Sequence, residues 1–387
     1  MIKEKVWSMK KIIVIGAGIL GASTAYHLAK AGADVTVVDR KDPGQATDAA
    51  AGIICPWLSQ RRNKAWYALA KNGAAYYPSL IRQLEEDGEV ETGYRQVGAI
   101  SLHTDIVKLG KMEERAMKRR EDAPEMGDIC QLDTEKTVAL FPSLSPDYAA
   151  VHVSGAARVN GRALRDALTH AAKKYGATFI HGSAKLLAAQ TAITGVLVEG
   201  QPYHADKVIL AAGAWAPELL APLGIDLQVT AQKAQIVHLR FEEAETGAWP
   251  VVMPPTDQYI LAFENGKMVI GATHEDDQPF DQRLTAGGLH EVLDKALSVA
   301  PGLAASTFTE ARVGYRPFTP GFLPIIGAMP GIEGLVLANG LGASGLTVGP
   351  FLGKQLAKLA MGEPVDIQLE WYDVANAVNV GERRAEE

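Results

Sequence analysis

Cysteine is almost missing from this chain, which has only Cys55 and Cys130 in 387 residues. Two thiols cannot build a disulfide framework, and neither has a metal-ligand neighbour at useful spacing. The pair therefore fits a reducing compartment. An excess of positive charge is missing too: the formal net charge is -7, and a surface of that sign repels the phosphates of nucleic acid. The main charge group, KMEERAMKRRED from Lys111 to Asp122, interleaves both signs, as a water-exposed helix face does. No apolar core of signal-peptide length precedes the first expected strand at Lys11. Residues 334–353 are uncharged and about long enough to span a bilayer, but they hold six glycines, Asn339 and Pro350. A turn pressed against a cofactor, followed by a helix start, is the expected reading. A cytoplasmic protein with no transmembrane segment is expected, with loose membrane association and homo-oligomerisation left open.

What is present is the composition of a folded protein, with 47% hydrophobic and 21% charged residues and no repeat or low-complexity linker. The length suits two or three lobes rather than one small core. Residues 11–39 read as strand, tight turn, helix and strand, with Gly32 where the helix should stop, which is a βαβ unit. Residues 60–125 are mostly helical around a strand-like RQVGAISLHT, and 161–215 alternate helix and strand. From about 225 to 275 short strands and an Asn265-Gly266 hairpin turn predict an antiparallel sheet. A helix near 286–299 follows, then glycine-rich strands and turns, and GPFLGKQLAKLAMG as the last helix. This order fits a nucleotide-binding lobe interrupted by segments of a mainly antiparallel one.

Gly16-Ala17-Gly18-Ile19-Leu20-Gly21 is a G-x-G-x-x-G between a predicted strand and helix. Its glycines allow the tight turn, close approach of a pyrophosphate, and helix-on-strand packing, with the helix N-terminus as a positive end. Asp39 ends the next strand, where a carboxylate accepts hydrogen bonds from ribose hydroxyls and repels a ribose phosphate. NAD and FAD share this unit. Three further small-residue sites favour the longer flavin dinucleotide: ATDAAAGI (46–53), KVILAAGAW (207–215, including Gly213) and ANGLGASGLTVG (338–349).

In VGYRPFTPG, residues 313–321, Arg316 is the one cation in an otherwise uncharged stretch. Such a guanidinium needs an anion to meet it, either one of the chain's own acids or an incoming ligand.

Together GAGILG, VVDRK, TDAAAG, ILAAGAW, YILAF, GATH, GYRPFTPGFLPIIG and NGLGASGLTVGP resemble, in order and spacing, the D-amino acid oxidase superfamily of flavoproteins, in its glycine oxidase and D-amino acid dehydrogenase branch. The resemblance runs from Lys11 to about Leu359. It implies an α/β fold (α+β overall): an FAD domain of the glutathione-reductase, Rossmann-containing type, interleaved with an antiparallel-sheet substrate domain. The expected division gives residues 9–85, 148–222 and 308–370 to the FAD domain, and 86–147 and 223–307 to the substrate domain. It also implies noncovalent FAD, since covalent-flavin members have a cysteine near the Arg316 segment and this chain does not. Carried over, Ile19 and Leu20 lie on the pyrophosphate turn, and Asp39 and Arg40 by the adenosine ribose. Ala46, Thr47, Ala51, Gly52 and Ile53 lie along the flavin. Leu341, Gly342, Ala343, Ser344, Gly345, Leu346 and Thr347 face the flavin pyrimidine with backbone N–H groups.

Arg316 matches the arginine that holds the substrate carboxylate, Tyr259 the tyrosine that adds a second donor to it, and His274 the active-site histidine of sarcosine-oxidase relatives. Trp57, Trp66 and Tyr67 are expected to pack the core rather than line an entrance. The implied reaction is oxidation of the CH–NH bond of glycine, sarcosine, a D-amino acid or an N-substituted amino acid by hydride transfer to flavin N5. The imine is then hydrolysed, with oxygen or a quinone-type carrier reoxidising the flavin. Two other classes stay open at this point: an NAD(P)-dependent dehydrogenase and a non-catalytic flavin-binding protein.

Overall fold

A computed structural model describes residues 9–242, 245–276 and 280–380. Among them are eight α-helices: α1 (Ile19–Lys30), α2 (Lys64–Glu86), α3 (Ile106–Arg120), α4 (Thr134–Leu140), α5 (Gly161–Lys174), α6 (Ala216–Leu220), α7 (Ala286–Val299) and α8 (Gly345–Met361). The βαβ unit lies where the glycine pattern puts it. The strand Lys11–Ile15 feeds α1, and Asp34–Asp39 returns beside it in parallel. These two strands sit inside a six-stranded sheet in the order Ile325–Ala328, Leu335–Asn339, Lys207–Leu210, Lys11–Ile15, Asp34–Asp39, Thr178–His181. Only the Ile325–Ala328 edge runs antiparallel to its neighbour.

Both faces of this sheet are covered, as parallel strands require. Ile12 and Val14 pack towards α1, α2, α5 and α8, in a core that includes Tyr26, Leu80, Leu168 and Leu352. Ile13 and Ile15 point the other way, onto Val196, Val198 and Leu220. Those residues belong to the three-stranded meander Ala184–Ala189, Ala192–Val198, Gln201–His204 and to α6.

The second large sheet has eight strands, in the order Thr307–Phe318, Thr230–Arg240, Lys267–Gly271, Tyr259–Ala262, Val251–Met253, Ala99–His103, Ala149–Val153, Ile129–Leu132. Alternation decides its two faces. Ile100, Leu102, Val237 and Leu239 pack on Val292 and Ala296 of α7, while Ala99, Ile236, Leu261 and Val269 join the core under the nucleotide helices. One continuous apolar cluster therefore joins the two large sheets.

Three expectations shift. The predicted antiparallel block over 225–275 is only half of its sheet, and the pair Val251–Met253 with Ala99–His103 is parallel. Thr307–Phe318 and Ala149–Val153, expected in the nucleotide lobe, hydrogen-bond in the eight-stranded sheet, because pairing partners far apart in sequence leave no local signal. With those margins moved, the division into two interleaved domains remains our proposal. The last helix starts at Gly345 rather than Gly349, with Pro350 tolerated in its second turn, and is followed by a strand, Val378–Val380, that pairs with Ile225–Leu227. The hairpin turn stands as expected: Asn265 and Gly266 both have left-handed φ, 58° and 70°.

Candidate active site

The strand Lys11–Ile15 ends in a turn that leaves no room for side chains. Gly16 has φ 101°, and a Cβ there would lie 2.5 Å from the Ala211 carbonyl oxygen. A Cβ on Gly21 would sit 1.9 Å from the Gly16 oxygen, so Gly21 serves helix-on-turn packing rather than the cavity wall. The Thr47 hydroxyl accepts the Ile19 amide at 3.0 Å, tying the turn to the 46–53 segment. Asp39 is already engaged: its carboxylate accepts the amides of Ala17 and Lys41, both at 2.5 Å, and the side-chain amide of Gln45 at 3.1 Å. Arg40 pairs with Asp42 at 2.6 Å and Glu218 at 3.1 Å.

Three adjoining cavities follow from this turn. One of about 60 Å³ borders Gly16, Asp39 and Arg40. A second, of about 100 Å³, runs past Gly16, Gly18, Ile19, Leu20, Asp39, Gly213 and Leu341. It shares Ile19, Ala46, Thr47, Gly342 and Gly345 with the third and largest, of about 300 Å³. That cavity is lined by Ala51, Gly52 and Ile53 on one side, by Gly342, Ala343, Ser344, Gly345, Leu346 and Thr347 on another, and by Tyr259, His274 and Arg316 at its far end. Of the expected site residues, only Gly21 faces none of the three. Helix caps follow the same geography: α2, α3, α4, α5 and α7 have a side chain capping their first turn, whereas α1 and α8, whose starts border the cavities, have none. Their N-terminal ends carry partial positive charge towards the trough.

At the far end the eight-stranded sheet presents the polar groups. Arg316 lies opposite Gln232 in the antiparallel register. Its Nη1 donates to Gln232 Oε1 at 2.9 Å and to the Thr273 carbonyl at 3.3 Å. Among the described residues no carboxylate comes within 4.0 Å of this guanidinium, so its charge has no internal counter-ion in contact. Burial pulls its pKa below the ordinary arginine value, while the Tyr259 phenol against it works the other way. Tyr259 is itself pushed up to about 12 by burial, partly offset by Arg316. A Cβ on Gly271 would meet the Tyr259 hydroxyl at 2.7 Å, so glycine opposite it makes the space that the phenol fills.

His274 stands at the rim, with 40% of its side chain exposed and Nδ1 3.5 Å from Asp257. Desolvation, then the charge of Arg316, lowers its pKa below the ordinary 6.5. Burial would raise the Asp257 carboxyl, but hydrogen bonds from Gln258 and Lys295 outweigh it and hold the group low. Cys55 also borders this cavity, and burial pushes its thiol up to about 12, which keeps it protonated and unreactive. Trp66 packs in the core, 7% exposed, and in addition lines the cavity and donates from Nε1 to Ser344 at 3.1 Å. Trp57 is core, as expected.

Residues 11–359 match the DAO family, FAD dependent oxidoreductase. The chain belongs to that family. It is 64% identical over 371 residues to "Uncharacterized oxidoreductase YurR" of Bacillus subtilis (strain 168), covering 96% of this chain and all of the relative. It is 30% identical over 362 residues to a glycine oxidase of Pseudomonas aeruginosa, covering 92% and 96% of the two chains. The crystal structure of iminodiacetate oxidase from Chelativorans sp. BNC1 superposes with a TM-score of 0.91 at 46% identity, covering 94% of this chain and 98% of that one.

The protein is thus an FAD-dependent oxidoreductase with the mixed α/β fold of its family, and the nicotinamide and non-catalytic alternatives fall away. The trough fits the cofactor: the close-packed glycine turn would take the pyrophosphate, the two uncapped helix starts would face its negative charge, and the small residues of 46–53 and 342–345 would border the ring. No helix of the described residues is long and apolar enough to cross a membrane. Two residues near the site, Gln232 and Asp257, carry no sequence expectation. The signal for Gln232 is its place directly across from Arg316, which becomes visible only once the strand register is known.

Proposed function

We propose that the protein oxidises the CH–N bond of an amine that carries a carboxylate on the same carbon: glycine, sarcosine, a D-amino acid or an N-substituted amino acid. The observation that carries this reading is Arg316, a charged group on the wall of the 300 Å³ cavity with no carboxylate among the described residues in contact. A guanidinium presents two parallel donors to a carboxylate and so fixes the direction of the attached α-carbon as well as its position. The relative named for iminodiacetate and the one named for glycine are both consistent with an amine of this type.

FAD, when bound, accepts the hydride at N5. The chain's own groups do the placing. Arg316 takes the carboxylate, and Tyr259, protonated across the ordinary pH range, adds a phenol donor beside it. The nearby positive charge of Arg316 and the loss of water both disfavour an ammonium, so the substrate amine reacts as its free base. Loss of a hydride and of the N–H proton leaves an imine, and water converts it to an oxo acid and an amine or ammonia. Molecular oxygen or a quinone-type carrier then takes the two electrons.

Anaerobic mixing of the yellow protein with glycine, sarcosine, D-amino acids and iminodiacetate tests the reading, and admitting air afterwards separates oxidase from dehydrogenase. At least one carboxylate-bearing amine is expected to bleach the flavin. Arg316→Ala is expected to lower the second-order rate of bleaching about 100-fold or more, the scale of removing one partner of a buried charge pair. Unchanged bleaching in that variant would falsify the assignment.

A further inference from the structure

We infer that Gln232 is the residue that keeps Arg316 available to a substrate carboxylate, and that Asp276 locks Gln232 in the orientation this requires. The inference rests on the function proposed above. Gln232 Oε1 accepts from Arg316 Nη1 at 2.9 Å, and Gln232 Nε2 donates to Asp276 Oδ1 at 2.8 Å. A guanidinium has only donors and an ionised carboxylate only acceptors, so the amide has a single workable orientation. Flipping it would set NH₂ against NH₂ on one side and oxygen against oxygen on the other.

The consequence is electrostatic. A full hydrogen bond steadies Arg316, but the atom that receives it is neutral, and the nearest charge on that path is one amide group further away. Two other carboxylates of the adjoining segments, Glu275 and Asp257, are tied elsewhere. Glu275 accepts from Gln235 Nε2 at 2.7 Å and Thr273 Oγ1 at 2.6 Å, and Asp257 accepts from Lys295 at 3.2 Å. Arg316 is oriented without being neutralised, which leaves its charge for the ligand.

The test uses the FAD-loaded enzyme with acetate as the probe, its dissociation constant read from the shift in the visible flavin spectrum. Gln232→Glu keeps the size of the side chain and places a formal negative charge against Arg316. It is expected to raise the acetate Kd about tenfold or more, and the KM of the best amine substrate in parallel. The limiting rate of flavin reduction should stay within about threefold of wild type while Kd and KM rise together, a split that mere structural damage would not produce. Asp276→Asn, a change at an exposed position, frees the amide to flip and is expected to raise the acetate Kd by a smaller factor, about two- to fivefold, whether or not the first variant folds. If wild type binds acetate, Arg316→Ala does not, and both variants bind it like wild type, Gln232 has no such role. If wild type neither binds acetate nor is bleached by any carboxylate-bearing amine, the proposed function itself fails and this inference goes with it.

Discussion

Arg316 and Tyr259 reach the same cavity end from two strands, Gln232 meets Arg316 from a third, and their effects differ in kind. The arginine supplies charge, the glutamine a neutral brace, and the phenol a single donor. A neutral hydrogen bond contributes about 1 kcal/mol, so Tyr259→Phe should weaken carboxylate binding about fivefold and leave the flavin bound. Because burial holds the Tyr259 phenol near 12, it stays protonated from pH 7 to 10, and any alkaline change in rate within that window arises elsewhere. Rapid-mixing reduction of both forms over that range checks this. An alkaline limb below pH 10 that disappears in the phenylalanine variant would count against it. His274 has its pKa lowered, so it is largely neutral at pH 7 and adds no second positive charge beside Arg316.

Helix starts decide how the elements meet the cofactor. The first turn of α8 faces the 300 Å³ cavity without a side-chain cap, and a Cβ on Gly345 would meet no protein atom within 4 Å. Gly345→Asp should therefore fold, while its carboxylate opposes negative charge on the reduced ring. The expected result is a flavin midpoint potential more negative by on the order of 30 mV, measured by reductive titration against a reference dye.

The packing of α1 on α2 carries a different signature. His27 of α1 meets the Tyr76 hydroxyl of α2 at 2.9 Å, and desolvation, with Lys354 and Lys30 nearby, lowers its pKa to about 3. An unfolded histidine titrates at 6.5, so below that pH the unfolded chain binds a proton that the folded one refuses. Its contribution is intact above 6.5 and is lost at up to about 1.4 kcal/mol per pH unit as pH falls towards 3. Denaturant midpoints between pH 7 and 5 should decline less steeply in His27→Gln than in wild type.

At the scale of the molecule, one apolar cluster joins the nucleotide helices to the inner face of the eight-stranded sheet, and the trough lies along that junction. A cofactor lying there touches both lobes, so removing it weakens the joint as well as emptying the site. Stripping FAD should lower Tm, and readding it should restore Tm in a concentration-dependent way, by about 2.7 kcal/mol at a hundredfold excess over Kd. Calorimetry of the apoprotein titrated with FAD is the check. An apoprotein as stable as the holoprotein would mean that the lobes hold together unaided.

The parts legible in the amino-acid string are those whose physics is local. The glycine turn at 16–21, α1, the Asn265-Gly266 hairpin and α7 all follow from φ preferences and apolar periodicity within a few residues, and the structure has each where expected. The family, and with it FAD, was also readable, because small-residue motifs keep their spacing. The eight-stranded sheet was not readable in full: its members are drawn from residues 99–318, and a strand's partner is chosen by tertiary packing that leaves no local mark. The sequence alone determined that a lone arginine at 316 needs an anion. Only the fold decided that Gln232 stands across from it, that Asp276 holds that amide, and that no acid among the described residues reaches the charge, because strand register alone sets which side chains face each other.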